Sequence, residues 1–215
     1  MRINSKMLWR FGIYLIGLMI LAIGIVLNTE TTLGVSPIIS VPYSISSIWT
    51  LNFAFITLLV YIVQVILQFL IKGKNREWKD ALQIAVCLAF TSFLGLFEKI
   101  IVLHPETFLQ KILVLVAAIL ITAVGAAMTV NMKIVPNPAD GLAKTVGDAL
   151  HKDMGFGKNV IDLISVAITC VIGFVCTGHL VAIGIGTVCA MIGVGRAIAL
   201  FNYFCKDKMD ALAGL

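Results

Sequence analysis

Six long apolar stretches constrain this chain more than any other feature of its sequence. Each is close to or above the roughly 18 residues that an α-helix needs to cross a hydrocarbon core of about 30 Å. Only 13% of the residues are charged, which is far below the share of about 25% in a soluble domain. The sequence therefore predicts an all-α membrane protein whose residues 1–215 form a single membrane domain. The predicted spans are residues 11–27, 53–71, 81–102, 112–130, 159–176 and 180–204.

The basic residues are unevenly distributed over the connections between these spans. Of the 16 Lys and Arg residues, 13 lie at the two termini or in the connections between spans 2 and 3 and between spans 4 and 5, Arg2 and Arg76 among them. The opposite side has only Lys99 and Lys111, and Arg196 lies inside the last span. Cytoplasmic loops are enriched in Lys and Arg, so both termini are predicted to be cytoplasmic. The net charge of +5 thus indicates a topology signal, and we expect no nucleic-acid partner.

Two connections between spans have unusual sequences. Pro37 follows Ser36 in the first connection, and Pro138 follows Asn137 in the second. Ser and Asn are good N-cap residues, and Pro is favoured at the first position of a helix. Each connection is therefore predicted to contain a short helix with a defined start. The two connections are residues 29–50 and 131–152.

The two connections belong to an internal repeat with an offset of 101 residues. At this offset Gly24 corresponds to Gly125, and Pro37 corresponds to Pro138. Each half has three spans, an odd number, so the second half begins on the opposite side of the membrane. The predicted fold is six transmembrane helices in two inverted three-helix repeats, each with a short re-entrant or broken helix after its first span. The repeats cover about residues 11–103 and 111–205.

The start of each short helix is the candidate binding element. A helix N-terminus has unpaired N–H groups and about half a positive charge, and it binds anions or polar oxygens. If both helices re-enter the membrane, their N-termini face a shared cavity, as the discontinuous helices of secondary transporters do. The alternative is that both are amphipathic helices lying flat on opposite membrane surfaces. The candidate substrate-binding residues are Ser36, Pro37, Asn137, Pro138, Asp140 and Arg196.

Arg196 belongs to this set because a charge inside a span is costly unless it is paired. It lies near the cytoplasmic end of the last span, and Asp140 and Asp162 are candidate partners on the same side. In the alternative interpretation, the long side chain reaches the cytoplasmic interface and has no part in binding. The sequence is compatible with both.

Motifs for covalent or metal chemistry are missing from the sequence. It contains no HExxH, no GxSxG and no P-loop. The five cysteines lie in apolar surroundings and lack the paired spacing of a metal site. We therefore expect a protein that is not an enzyme and that has no metal or cofactor.

Three motifs carry a resemblance to a known family. They are T-x-L-G-V-S-P-I-x-S-x-P-Y-S from Thr31 to Ser44, N-P-A-D-G-L from Asn137 and A-I-G-I-G-T from Ala182. Together they resemble the YczE/YitT-type group of bacterial integral membrane proteins over essentially the whole chain. The resemblance implies a multi-pass protein of the bacterial cytoplasmic (inner) membrane. That group is functionally uncharacterised, so the resemblance supplies no substrate and no binding residues.

These features favour a small secondary transporter or permease. Two inverted halves would alternate around the central site and move a small polar or amphipathic substrate across the lipid bilayer. A second hypothesis is a substrate-binding membrane subunit of an ATP-driven (ECF-type) uptake system, since the chain has no nucleotide site of its own. A third is a non-transport membrane protein that regulates or assembles a partner. The partners compatible with these hypotheses are the bilayer, the substrate, a second copy of the chain, and energising subunits.

Overall fold

The computed structural model of this protein describes residues 5–75 and 78–215. Arg2 and Arg76, which entered the predicted orientation, lie outside the described residues. Within those ranges the chain is helical and contains no β-strand. The α-helices are α1 (Ser5–Glu30), α2 (Pro37–Trp49), α3 (Phe53–Lys72), α4 (Leu82–Ile100), α5 (Phe108–Asn131), α6 (Pro138–Ala149), α7 (Met154–Thr177) and α8 (Ile185–Ala213).

Six of these helices, α1, α3, α4, α5, α7 and α8, are long and apolar enough to cross a membrane. Their number confirms the six spans that the sequence predicts. The bounds of the last span differ most from the prediction. Residues 178–184 are not helical, so α8 begins at Ile185 instead of residue 180, and it continues past residue 204 to Ala213.

Two backbone hydrogen bonds explain the late start of α8. The Val35 N–H donates to the Ala182 carbonyl oxygen over 2.9 Å, and the Gly186 N–H donates to the Leu33 carbonyl oxygen over 2.7 Å. Gly34 allows this contact because it has no Cβ and adopts a φ of +103°. The connection before α2 and the connection before α8 thus satisfy each other's backbone groups, which non-helical segments inside a membrane protein require.

The two short helices begin where the sequence predicts. α2 starts at Pro37 and α6 at Pro138, and the preceding N-cap residues have nearly the same backbone angles. Ser36 has φ −55° and ψ 141°, and Asn137 has φ −58° and ψ 143°. The Asn137 side chain accepts a hydrogen bond from the Ala139 N–H over 3.3 Å, whereas the Ser36 side chain makes no capping bond. Each short helix follows one long helix and precedes two further long helices.

The first long helix of each half, α1 and α5, form the most extensive helix pair in the described chain. A Cβ on Gly24 would overlap the Thr122 backbone, and a Cβ on Gly125 would overlap the Leu21 backbone. Contacts shift toward the start of α5 as they move toward the end of α1, since Leu21 meets Gly125 and Gly24 meets Thr122. The two helices therefore run antiparallel. Small residues at the crossing allow this close approach, as they do in membrane helix pairs.

The short helices lie between α3 and α7, and each of them contacts both. On α2, the Ser40 hydroxyl is hydrogen-bonded to the Thr169 hydroxyl of α7 over 2.8 Å. On α6, the Pro138 carbonyl oxygen accepts a hydrogen bond from the Gln68 amide of α3 over 3.0 Å. The Gln68 amide also exchanges two hydrogen bonds with the Gln83 amide, at 3.0 and 3.1 Å. Buried polar contacts therefore hold both short helices against the long ones.

The ends of α1 and α5 are joined by a basic side chain at each end of the pair. The Arg10 guanidinium donates to the carbonyl oxygens of Met132 and Lys133 over 2.6 and 2.8 Å. At the opposite end, the Lys111 ammonium donates to the Thr32 hydroxyl over 2.9 Å. Both cations thus bind the segment that follows the C-terminus of the neighbouring helix, where the helix dipole favours positive charge.

The outer helices are packed unequally in the two halves. α3 packs directly against α4, whereas α7 and α8, both wholly within the described ranges, have no comparable contact. α8 instead lies on α5 and, over a smaller surface, on α1, and it is the least buried of the six long helices. The half formed by α1 to α4 is therefore closed between α3 and α4, and the half formed by α5 to α8 is open between α7 and α8.

The crossing of α1 and α5 yields a stability prediction. We expect Gly125→Ala to lower the free energy of unfolding by about 1 to 3 kcal/mol, since the new methyl group meets backbone that cannot move aside. The measurement is the thermal unfolding midpoint in detergent. Gly12→Ala is the control, because a Cβ at Gly12 meets no atom within 4 Å and Ala favours the helix. Equal midpoints for the two variants would contradict the close helix crossing.

The buried amides of α3 yield a second prediction. Gln68→Leu leaves the Gln83 amide and the Pro138 carbonyl oxygen without their partner, and we expect a loss of about 2 kcal/mol or more. Gln64→Leu, one turn earlier on α3, removes a buried oxygen that has no partner and should not destabilise the protein. Chemical or thermal unfolding of both variants measures the difference. Loss of stability in Gln64→Leu alone would refute the assignment.

Candidate functional site

A cavity of about 110 Å³ lies where the N-termini of α2 and α6 come together. Its walls include central residues of α1 and α5, such as Leu21 and Thr122, together with one face of α8. We call it the central cavity. Its lining is mainly apolar, and the polar side chains on it belong to the segments around the two helix N-termini and to α1, α3, α5 and α7.

Asn28, near the end of α1, holds the start of α2 and faces the central cavity. Its side-chain oxygen accepts a hydrogen bond from the Ser36 N–H over 3.1 Å, which fixes the orientation of the amide group. The amide nitrogen of the same side chain is buried and has no hydrogen-bond partner, and the residue is only 6% exposed. An unpaired buried amide costs about 1 to 3 kcal/mol. Asn28 therefore presents two N–H donors that a ligand could satisfy.

At the start of α6, Asn137 and Asp140 line the central cavity. The hydroxyl of Tyr61, a buried residue of α3 that also lines the cavity, lies beside the Asn137 side chain. Tyr61 stacks on Phe90 of α4 with ring centroids 5.8 Å apart. Asp140 occupies the first turn of α6, where the positive end of the helix dipole favours a carboxylate.

The charges near Asp140 belong to the start of α7. The Lys158 ammonium lines the cavity and forms an ion pair with the buried Asp162 carboxylate at 3.2 Å. Neither ion pair in the described part of the chain includes Asp140. Burial raises the pKa of the Asp140 carboxyl above its ordinary value, Lys158 opposes this rise, and Asp162 adds to it. Two carboxylates and one ammonium leave this cluster short of one positive charge.

The structure brings together most of the site residues predicted from the sequence. Ser36, Asn137 and Asp140 line the central cavity. Pro37 and Pro138 are buried as the first residues of α2 and α6, directly behind the lining. They position the two N-termini without contributing an N–H group.

Arg196 is placed apart from these residues. It lies exposed on α8 and is not part of the cavity lining. Neither of the acidic partners predicted for it is paired with it, since Asp162 binds Lys158 and Asp140 forms no ion pair among the described residues. Its role in binding stays a prediction.

Sequence reasoning missed four polar residues of the central cavity: Asn28, Tyr61, Thr122 and Lys158. Asn28 lies where a span ends and Lys158 where one begins, so both have the pattern of interfacial residues. Tyr61 lies inside an apolar span, where an aromatic residue is unremarkable. The one available signal was that Asn28 is the last residue before the connection 29–50.

A second, larger cavity has a more apolar lining than the central one. It has a volume of about 520 Å³ and lies among α2, α3, α6 and α7. Gln64 and Ser165 are the only polar residues in its lining, and the remainder is aliphatic. No group of three His, Cys, Asp or Glu side chains in the described ranges could hold a metal ion. The polar side chains on the central cavity, such as Asn28, Asn137 and Asp140, can form hydrogen bonds and recognise charge.

Comparison with known proteins identifies the family of this chain. A family model described as a family of unknown function (DUF6198) matches residues 8–203. No curated protein and no solved structure matches the chain. The match does not bear on the YczE/YitT-type group, so that narrower resemblance stays a hypothesis. The match covers nearly the whole chain, and six of the described helices are long and apolar enough to cross a membrane. This integral membrane protein therefore belongs to the DUF6198 family, whose function is unknown.

Proposed function

We propose that this protein is a small-molecule transporter of the bacterial cytoplasmic membrane that works by alternating access around the central cavity. One observation carries the proposal: the N-termini of two short helices meet at a cavity that holds the unpaired Asn28 amide and the Asp140 carboxylate. Irregular backbone and unpaired polar groups at such a position are tolerated where they line a cavity. Binding sites of secondary transporters are built in this way.

The proposal includes an inverted repeat, and the reciprocal contacts of α1 and α5 support it. The offset of 101 residues relates Gly24 to Gly125 and Leu21 to Thr122. Gly24 contacts Thr122, and Gly125 contacts Leu21. Exchanging each residue for its counterpart in the other half therefore turns the first contact into the second. A self-complementary contact between antiparallel helices is the signature of a two-fold axis. Here the axis would lie in the membrane plane.

The short helices support the same axis. The offset relates Ser40 to Gly141 and Gln68 to Thr169. Ser40 of α2 bonds to Thr169 of α7, and Gly141 of α6 lies directly against Gln68 of α3. The second contact is thus the counterpart of the first.

The basic residues at the helix ends provide a third instance. The offset relates Arg10 to Lys111 and Thr32 to Lys133. Arg10 binds the Lys133 carbonyl oxygen, and Lys111 binds the Thr32 hydroxyl. Because three independent contacts obey one offset, the two halves are proposed to share one architecture in opposite orientations.

Re-entry of α2 and α6 is favoured over helices that lie flat on the two surfaces. Ser36 and Asn137 line the same cavity as Leu21 and Thr122, which are central residues of α1 and α5. Helices on opposite membrane surfaces would be separated by the thickness of the bilayer, about 30 Å, and could not share this lining.

The unequal packing of the outer helices supports alternating access. A transporter with inverted repeats reaches its second state by exchanging the conformations of its halves. The closed pair α3–α4 and the open pair α7–α8 are two conformations of that kind. In the proposed second state, α7 and α8 close while α3 and α4 separate. Arg196 lies on α8, one of the helices that this motion displaces.

Cysteine accessibility tests the transport cycle. In a variant with the five native cysteines replaced, we expect Ser36→Cys to react with a charged, membrane-impermeant thiol reagent from both sides of the membrane. The reason is that the cavity opens to each side in turn. The measurement is labelling in right-side-out and in inside-out vesicles. The exchange is nearly isosteric, and Ser36 makes no capping hydrogen bond that the thiol would remove.

Two exposed positions serve as controls for this experiment. His104→Cys, between α4 and α5, and Lys208→Cys, near the end of α8, should each react from one side only, and from opposite sides. Their reactive sides also test the predicted cytoplasmic location of the termini. Labelling of Ser36→Cys from a single side under all conditions would refute alternating access at this cavity.

A further inference from the structure

We propose that the central cavity binds a small zwitterion, with its anionic group at the start of α2 and its ammonium group at Asp140. This inference deepens the transport proposal by naming a substrate class, and it rests on that proposal in taking the central cavity as the binding site. Two observations at the cavity lining carry it: the unpaired amide of Asn28 and the uncompensated carboxylate of Asp140.

The anionic half of the site is formed by Asn28 and the N-terminus of α2. The Asn28 side-chain oxygen already accepts a hydrogen bond from the Ser36 N–H, whereas the amide nitrogen has no partner and can only donate. Ser36 does not cap the helix with its side chain, so the positive end of α2 faces the cavity as well. Both features select an acceptor, and a carboxylate satisfies them best.

The cationic half of the site is formed by Asp140. Its carboxylate lies on the cavity wall, and no described side chain forms an ion pair with it. The Lys158 ammonium, which also lines the cavity, is bound to Asp162. An entering ammonium group would therefore neutralise the one remaining negative charge of the cluster. A ligand that places an anion beside Asp140 would instead be repelled.

The volume and the walls limit what else the ligand contains. An apolar cavity of about 150 Å³ accepts benzene, which has six non-hydrogen atoms, so about 110 Å³ accommodates about four or five. Most of the remaining lining is aliphatic, from residues such as Ile25, Ile119 and Val194. Glycine has the required charges within this size, and alanine and β-alanine exceed it by one atom. A longer substrate would need a wider cavity than this conformation offers.

Ligands with only one of the two charges fit the cavity less well. A simple carboxylate such as propionate satisfies Asn28 but leaves Asp140 without a counter-charge. A simple amine such as ethylamine pairs with Asp140 but leaves the Asn28 amide buried and unpaired. Each unpaired group costs affinity, and this discrimination by unsatisfied groups is what makes the site selective.

Binding to the purified full-length protein in detergent tests this inference. The probes are L-alanine, glycine and β-alanine, with propionate and ethylamine as matched compounds that lack one charge. We expect at least one zwitterion to raise the thermal unfolding midpoint in a saturable manner. It should bind about tenfold or more tightly than propionate and ethylamine, the loss expected for one unpaired group.

Asn28→Asp is the decisive variant, because it changes one property of the site and preserves another. The Asp side chain retains the oxygen that accepts the Ser36 N–H, so the start of α2 stays anchored. It replaces the amide donors by a second acceptor with negative charge. We expect zwitterion affinity to fall about tenfold or more, while ethylamine affinity rises. Asp140→Asn should give the complementary result, with weaker zwitterion binding and unchanged or tighter propionate binding.

Matched exchanges outside the cavity control for the change in charge. Asn159→Asp on α7 and Asp148→Asn on α6 alter exposed residues and should leave the affinity of the zwitterion unchanged. A size-exclusion profile identical to that of the unmodified protein establishes that each variant is folded.

The inference is overturned if propionate or ethylamine binds as tightly as every zwitterion, or if none of the three zwitterions binds. It is also overturned if Asn28→Asp binds the zwitterion with unchanged affinity. Failure of the transport proposal gives a different result. Saturable zwitterion binding without uptake of radiolabelled ligand into proteoliposomes would leave the binding site in place and remove the transporter.

Discussion

The close contact between α1 and α5 is the interaction on which the remaining structure depends. Lipid gives apolar helices little reason to associate, so contact depends on how closely their backbones can approach. Gly24 and Gly125 permit that approach. The small residues Ala22 and Ala123, two positions before these glycines, are buried as well. Because the two helices run antiparallel, the connection that follows α1 and the connection that follows α5 begin at opposite ends of the pair. Both connections then return toward the crossing, which is why α2 and α6 meet at one cavity.

The second constraint is that backbone leaving a helix inside a membrane protein must find hydrogen-bond partners. The segment before α2 obtains them from the connection before α8, through Leu33 and Val35. It also receives the side chains of Asn28 and Lys111. In the segment before α6, Arg10 of α1 donates to the Met132 carbonyl oxygen, and Tyr14 of α1 donates to the Val135 carbonyl oxygen. The first segment thus combines close backbone contact with side-chain bonds, and long side chains of α1 hold the second.

Local rules were sufficient for much of this architecture. Hydropathy located the six spans, and the pairs Ser36–Pro37 and Asn137–Pro138 located the starts of both short helices, since caps depend on adjacent residues. Asn28 could not be assigned in that way, because its significance comes from one hydrogen bond and one unpaired nitrogen that only the folded chain defines. The start of α8 was misplaced for a similar reason: its first residues pair with a segment about 150 positions earlier.

Asn28 also connects the lining of the central cavity to the start of α2. Its oxygen holds Ser36 at the start of α2, and α2 is bonded through Ser40 to Thr169 in the middle of α7. In the proposed transport cycle, a ligand bound to the nitrogen of the same amide would act through α2 on α7, the helix that borders the gap between α7 and α8. Ligand binding and the closing of that gap would then depend on one side chain.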